Sequence, residues 1–160
     1  MKSIYIFPMV LLLVACSEPL VTVKPGGTPV SVAPLAIAPH GLDARLVARG
    51  AEIYKANCVA CHGANAEGAP NWSQKGADGK FPPPPLDEKG HGWHHPKSAL
   101  VLTIKEGTLK LGGGMPAWKD KLSDADIEAV IAWFQSRWPE EVYKSWALMD
   151  EKARRGLVRH

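Results

Sequence analysis

Apolar positions along the chain fall into blocks separated by polar, proline-rich stretches. The first block, Ile4 to Ala15, follows Lys2 and is apolar throughout. Its twelve residues would rise about 18 Å as a helix, short of a bilayer core of about 30 Å. Residues 1–15 therefore read as a cleaved export signal and not as a membrane span. From Leu42 the apolar residues take a helical period: Leu46, Val47, Gly50, Ile53 and Tyr54 share a face, with Asp43 placed as N-cap. Pro96 to Lys105 predicts a short helix carrying Leu100, Val101 and Ile104 and stopping at Gly107. The clearest helix starts at Ser123, with Asp124 and Asp126 in its first turn and Leu122 set to staple onto Ile127. Ile127, Val130, Ile131 and Phe134 form its buried stripe, with Trp133 beside it. Pro139 restarts the chain, and Val142, Trp146, Met149 and Ala153 share one face of a further helix over Glu140 to Gly156.

Between these blocks the pattern is irregular. Residues 62–92 are rich in glycine, proline and polar side chains, and Phe81-Pro82-Pro83-Pro84-Pro85-Leu86 excludes helix and central strand. No run alternates as a strand does and no repeat is present. The expected class is all-α, with four to five helices and long loops. With 160 residues, 46% hydrophobic and 22% charged, the chain holds one globular domain plus extensions. The expected boundaries are 41–139 for the domain, 16–40 for a Pro/Gly-rich tether, and 140–160 for a C-terminal helical extension. A net charge of +3 is no nucleic-acid footprint, and Arg154, Arg155 and Arg159 read as a solvated helix end.

Leu13-Val14-Ala15-Cys16 resembles the lipobox of bacterial lipoproteins. That resemblance implies lipid on the Cys16 thiol and cleavage before it, which anchors the mature chain to a membrane. In the same pattern Ser17 leans toward the outer membrane. Of the three cysteines, Cys58 and Cys61 then remain, too few for a disulfide framework beside another role.

Cys58-Val59-Ala60-Cys61-His62 carries the chemistry. Two thiols with this spacing followed at once by histidine suit covalent attachment of one haem, with His62 as an iron ligand. A thioredoxin-like pair would need a βαβ context, and a structural zinc site would need two more ligands at zinc-like spacing; neither is in the sequence. A sixth ligand is expected from Met115, the methionine in the glycine-rich loop Leu111 to Pro116. His94 and His95 are its rivals.

From about Leu42 to Trp138 the chain resembles class I (mono-haem) cytochrome c. Gly50 and Tyr54, eight and four residues before Cys58, match a small residue and an aromatic of the family. The resemblance implies that the N-terminal helix crosses the C-terminal one closely there, against Val130 and Trp133. It implies that the Pro84 carbonyl receives the second ring N–H of His62, and that Gly114-Met115-Pro116 is the ligand loop. Trp93-His94-His95-Pro96 and Trp138-Pro139 look like a subgroup of bacterial membrane-tethered cytochromes, which puts Trp93 among the cofactor-binding candidates. The helix after Pro139 departs from the minimal pattern.

The implied protein is no enzyme. It is a monomeric one-electron carrier on the periplasmic side of a bacterial membrane, anchored at Cys16 and meeting redox partner proteins. Lys55, Lys105, Lys110, Lys119 and Lys121 would form a basic ring for brief encounters, or serve as ordinary solvated lysines. Rival readings are a fixed haem subunit of a respiratory complex and a haem protein with an open sixth site.

Overall fold

A computed structural model describes residues 37–157. The signal, Cys16 and the tether up to residue 36 lie outside the described residues. Among the described residues there are five α-helices: α1 (Ala44–Asn57), α2 (Val59–His62), α3 (Lys97–Glu106), α4 (Asp124–Gln135) and α5 (Glu140–Arg154). Among the described residues the only β-type pairings are isolated bridges, Ile37 with Asp43 and Phe81 with Gly113. The molecule is all-α, as its hydrophobic pattern predicts.

Local chemistry sets the helix ends. Asp43 caps α1 by accepting from the Arg45 amide at 2.8 Å. Ser123 and Asp126 form a reciprocal capping box at the start of α4. Arg49 of α1 donates to the same Asp126 carboxylate at 2.6 Å. These bonds together hold the Asp126 carboxyl down to about 2, with the Ser123 hydroxyl the largest influence. Gly107 ends α3 at φ +70°, and a Cβ there would overlap the Met115 carbonyl.

α1 and α4 form the main helix pair. At Gly50 they touch backbone to backbone, since a Cβ would run into the Ala129 carbonyl and Trp133 Cβ. One turn on, Tyr54 lies under Trp133 with ring centroids 4.0 Å apart, and its hydroxyl donates to the Gly63 carbonyl at 2.6 Å. That bond ties α1 to the turn that follows His62. Tyr54→Phe is expected to cost about 1 kcal/mol in urea unfolding, because it deletes a hydrogen bond made by a side chain 1% exposed, while the Gly63 carbonyl keeps the Ala66 amide at 3.3 Å. A loss under about 0.3 kcal/mol would show that the hydroxyl bond is dispensable.

The larger core cluster joins Leu122, Ile127, Ile131 and Phe134 to Trp138 and Trp146. The extension helix α5 therefore packs inward on the domain. The end of the expected tether folds back as well. Pro39–Gly41 form one 3₁₀ turn, and the His40 ring stacks on Tyr143 with centroids 4.2 Å apart. Its Nδ1 lies 2.8 Å from a Glu140 carboxylate oxygen and its Nε2 lies 2.9 Å from the Trp138 carbonyl. Residues 37–40 thus belong to the packed body, two long-range polar bonds outweighing their proline-rich composition. Among the described residues no helix is long and apolar enough to cross a membrane.

Candidate functional site

α1 ends at Asn57, and Cys58 serves at once as its C-cap and as N-cap of α2. The His62 amide bonds the Cys58 carbonyl at 2.9 Å, so one helical turn carries Cys58, Cys61 and His62. Gly63 at φ +80° then turns the chain away. Neither Cys58 nor Cys61 is in a disulfide; the first is half-buried and the second exposed. Burial, with Cys61 adding, pushes the Cys58 thiol up to about 11, which keeps it protonated at neutral pH. Among the described residues no three His, Cys, Asp or Glu side chains gather as a cation site.

His62 Nδ1 lies 2.9 Å from the Pro84 carbonyl oxygen. A carbonyl only accepts, so Nδ1 carries the hydrogen and Nε2 keeps its lone pair. Burial pushes the imidazole below its usual range, outweighing the Pro84 bond that acts upward. His62 is therefore a neutral ring with its basic nitrogen at Nε2, the form in which imidazole binds a metal. Flanking bonds choose Pro84 among the four prolines. The Ala69 amide takes the Pro83 carbonyl, and the Leu86 amide gives to Ala66, both at 2.8 Å.

Cys58, Cys61, His62, Pro84 and Met115 all line one cavity of about 640 Å³. Most of its remaining wall is apolar, with Leu86, Leu100 and Ile104 and with Val130 and Phe134 of α4. Volume and lining fall within the range of cofactor sites. The donor set fits haem: thiols to attach it, a neutral imidazole and a thioether to ligate it, and apolar walls for the macrocycle.

Met115 reaches the cavity because Thr108 holds its backbone at both ends. The Thr108 amide donates to the Met115 carbonyl at 2.9 Å, and the Met115 amide donates to Thr108 Oγ1 at 3.1 Å. Across the mouth, the Phe81 amide bonds the Gly112 carbonyl at 3.0 Å and joins the proline run to this loop. Sequence reasoning missed Thr108; its place directly after the helix-ending Gly107 is the signal that would have found it.

His95 also lines the cavity. His94 instead stacks on Trp93 at 3.6 Å, and the Trp93 indole donates to the Glu88 carbonyl at 3.3 Å. Trp93 packs against the core and stands outside the lining residues. The basic ring is thinner than expected. Lys105 pairs with Asp124 and Lys119 with Glu106, leaving Lys55, Lys110 and Lys121 as exposed candidates.

Residues 45–134 match the family described as cytochrome c oxidase, cbb3-type, subunit III. The cbb3-type cytochrome c oxidase subunit CcoP of Azospirillum sp. (strain B510) is 38% identical over 91 residues, which are 57% of this chain and 28% of that subunit. Cytochrome c6 of Cladophora glomerata is 34% identical over 91 residues, 56% of this chain and 86% of the relative. Cytochrome c-550 of Bacillus subtilis (strain 168) is 41% identical over 76 residues, 46% of this chain and 48% of the relative. The chain thus spans under a third of the oxidase subunits it matches. No solved structure matches.

Proposed function

Because the chain belongs to the cytochrome c family, whose members bind covalent haem c and transfer electrons, we propose that it is a one-electron carrier with haem attached through Cys58 and Cys61 and ligated by His62 and Met115. Haem c, when bound, supplies a one-electron Fe(III)/Fe(II) couple. The chain's own residues do the rest. Pro84 fixes the tautomer and pose of His62, Thr108 fixes the loop of Met115, and the apolar walls exclude water. With His62 and Met115 holding it, haem would offer no position for a substrate, and transfer would be outer-sphere during a brief encounter. The cavity lining carries exposed apolar side chains suited to such encounters, Phe81 being 41% and Leu111 76% exposed. Lys110 and Lys55 add a mild positive charge for steering. In this reading the protein is a monomer, held by lipid at Cys16 on the periplasmic side of a bacterial membrane, the outer membrane by the residue after the cysteine.

The carrying observation is the convergence of His62, oriented by Pro84, with Met115 on one apolar cavity beside the two thiols. Optical spectra of the purified protein test it. Covalent haem with the weak far-red band of methionine-bound ferric iron is expected, together with a reduced form that does not bind carbon monoxide. Carbon monoxide binding without that band would replace this reading with an open-site haem protein. Met115→Ala is expected to leave haem attached, abolish the band and lower the reduction potential; an unchanged spectrum and potential would remove Met115 from the ligand set.

The likeness to oxidase subunits supports a second reading, a fixed subunit of a respiratory complex. Copurification separates the two: a carrier elutes alone, whereas a subunit elutes with its complex.

A further inference from the structure

Resting on the haem-carrier reading above, we infer that α5 is a positioning element of the haem site, in which Trp146 and Asp150 grip the segment 95–97 and so set one wall of the cavity. α5 lies wholly beyond the matched span 45–134. Two buried side chains on it nevertheless reach the same short segment from one side. The Trp146 indole N–H donates to the His95 carbonyl at 2.9 Å. Asp150 Oδ1 accepts from the Lys97 amide at 2.8 Å. Both side chains belong to residues only 6% exposed, and Pro96 between the two bonds is fully buried.

Chemistry explains why the grip falls there. Lys97 opens α3, and the N-cap position before it is Pro96, which makes no side-chain cap bond. Asp150 supplies the missing cap from another helix, where its charge also complements the positive end of α3. Its second oxygen meets Arg154 Nε at 3.2 Å, so neither oxygen is left without a partner. The gripped segment leads directly into the cavity: His95 lines it, and so do Leu100, Thr103 and Ile104 on α3. A helix that only covered apolar surface would have no use for two directional bonds on either side of one proline. Loosening them lets α3 and His95 shift outward and admits water, which favours the ferric charge and lowers the potential.

Holoprotein of the W146F, D150A and D150N variants tests this, read by midpoint potential and by hydrogen exchange at Lys97. D150A is expected to exchange the Lys97 amide about tenfold faster, the factor one such bond commands. Its potential should fall while haem and the far-red band persist. D150N keeps an acceptor oxygen and should return both readings toward wild type. W146F should lower the potential in the same direction. Faster exchange with unchanged potentials in D150A and W146F would overturn the inference and leave α5 a stabilising cover. So would wild-type exchange and potential in both. If W146F fails to fold, the D150A and D150N pair decides alone. A wild-type protein lacking covalent haem would instead overturn the carrier reading, an outcome visible before any variant is made.

Discussion

A His62→Ala chain is expected to yield no stable low-spin holoprotein. The substitution has three effects together. It deletes the neutral imidazole that burial keeps ligand-competent, and it breaks the 2.9 Å bond to Pro84. It also leaves the Pro84 carbonyl facing a hollow, a cost of about 1 to 3 kcal/mol before any iron–nitrogen bond is counted. Cys58 and Cys61 are untouched, so haem that does attach would sit without its fixed ligand. A haem-stained gel beside an optical spectrum measures both failures. A variant that accumulates with wild-type haem content and spectrum would show that His62 is not the ligand.

Gly50 is a position where the fold itself is exposed to a small change. Gly50→Ala is expected to cost about 2 to 3 kcal/mol, and Gly50→Val to leave no cooperatively folded domain. A methyl group at this position meets backbone, the Ala129 carbonyl, and not a side chain that can swing away. Relief requires α1 and α4 to separate, which also lifts Tyr54 from Trp133 and from the Gly63 carbonyl. Against a total stability of about 5–15 kcal/mol, that loss is a large share. Urea unfolding of the holoprotein measures it, and a Gly50→Ala midpoint within error of wild type would contradict the close crossing.

His62 was readable in the sequence because its motif is local, whereas the close crossing at Gly50 was implied by the family resemblance and not by spacing. The stripe Ile127, Val130, Ile131 and Phe134 is a helix face by spacing alone, and it is buried throughout. Asp43 and Ser123 act on amides two or three residues away, so short-range pattern finds them. Four consecutive prolines have no period, and only the bonds from Ala69 to Pro83 and from Leu86 to Ala66 settle which carbonyl meets His62. Trp93 stands apart from the cavity because the turn Gly92–His94 aims its indole back at Glu88. Asp150, Trp146 and His40 reach partners 51 to 100 residues away, and nothing in a local window signals such pairings. The composition of residues 37–40 even pointed the other way.

His40 also has a proton inventory. Each ring nitrogen faces an oxygen that can only accept, Glu140 at one end and the Trp138 carbonyl at the other. Which of the two bonds a ring N–H makes depends on the tautomer. On the partner's side, the bond from His40 is the main cause holding the Glu140 carboxyl below its usual range. Such a group contributes stability above the ordinary carboxylate range and loses it as pH falls through its own lowered value. Acid therefore undoes the joint from the carboxylate side. The end of the N-terminal segment and the start of α5 are fastened by a buckle that acid releases.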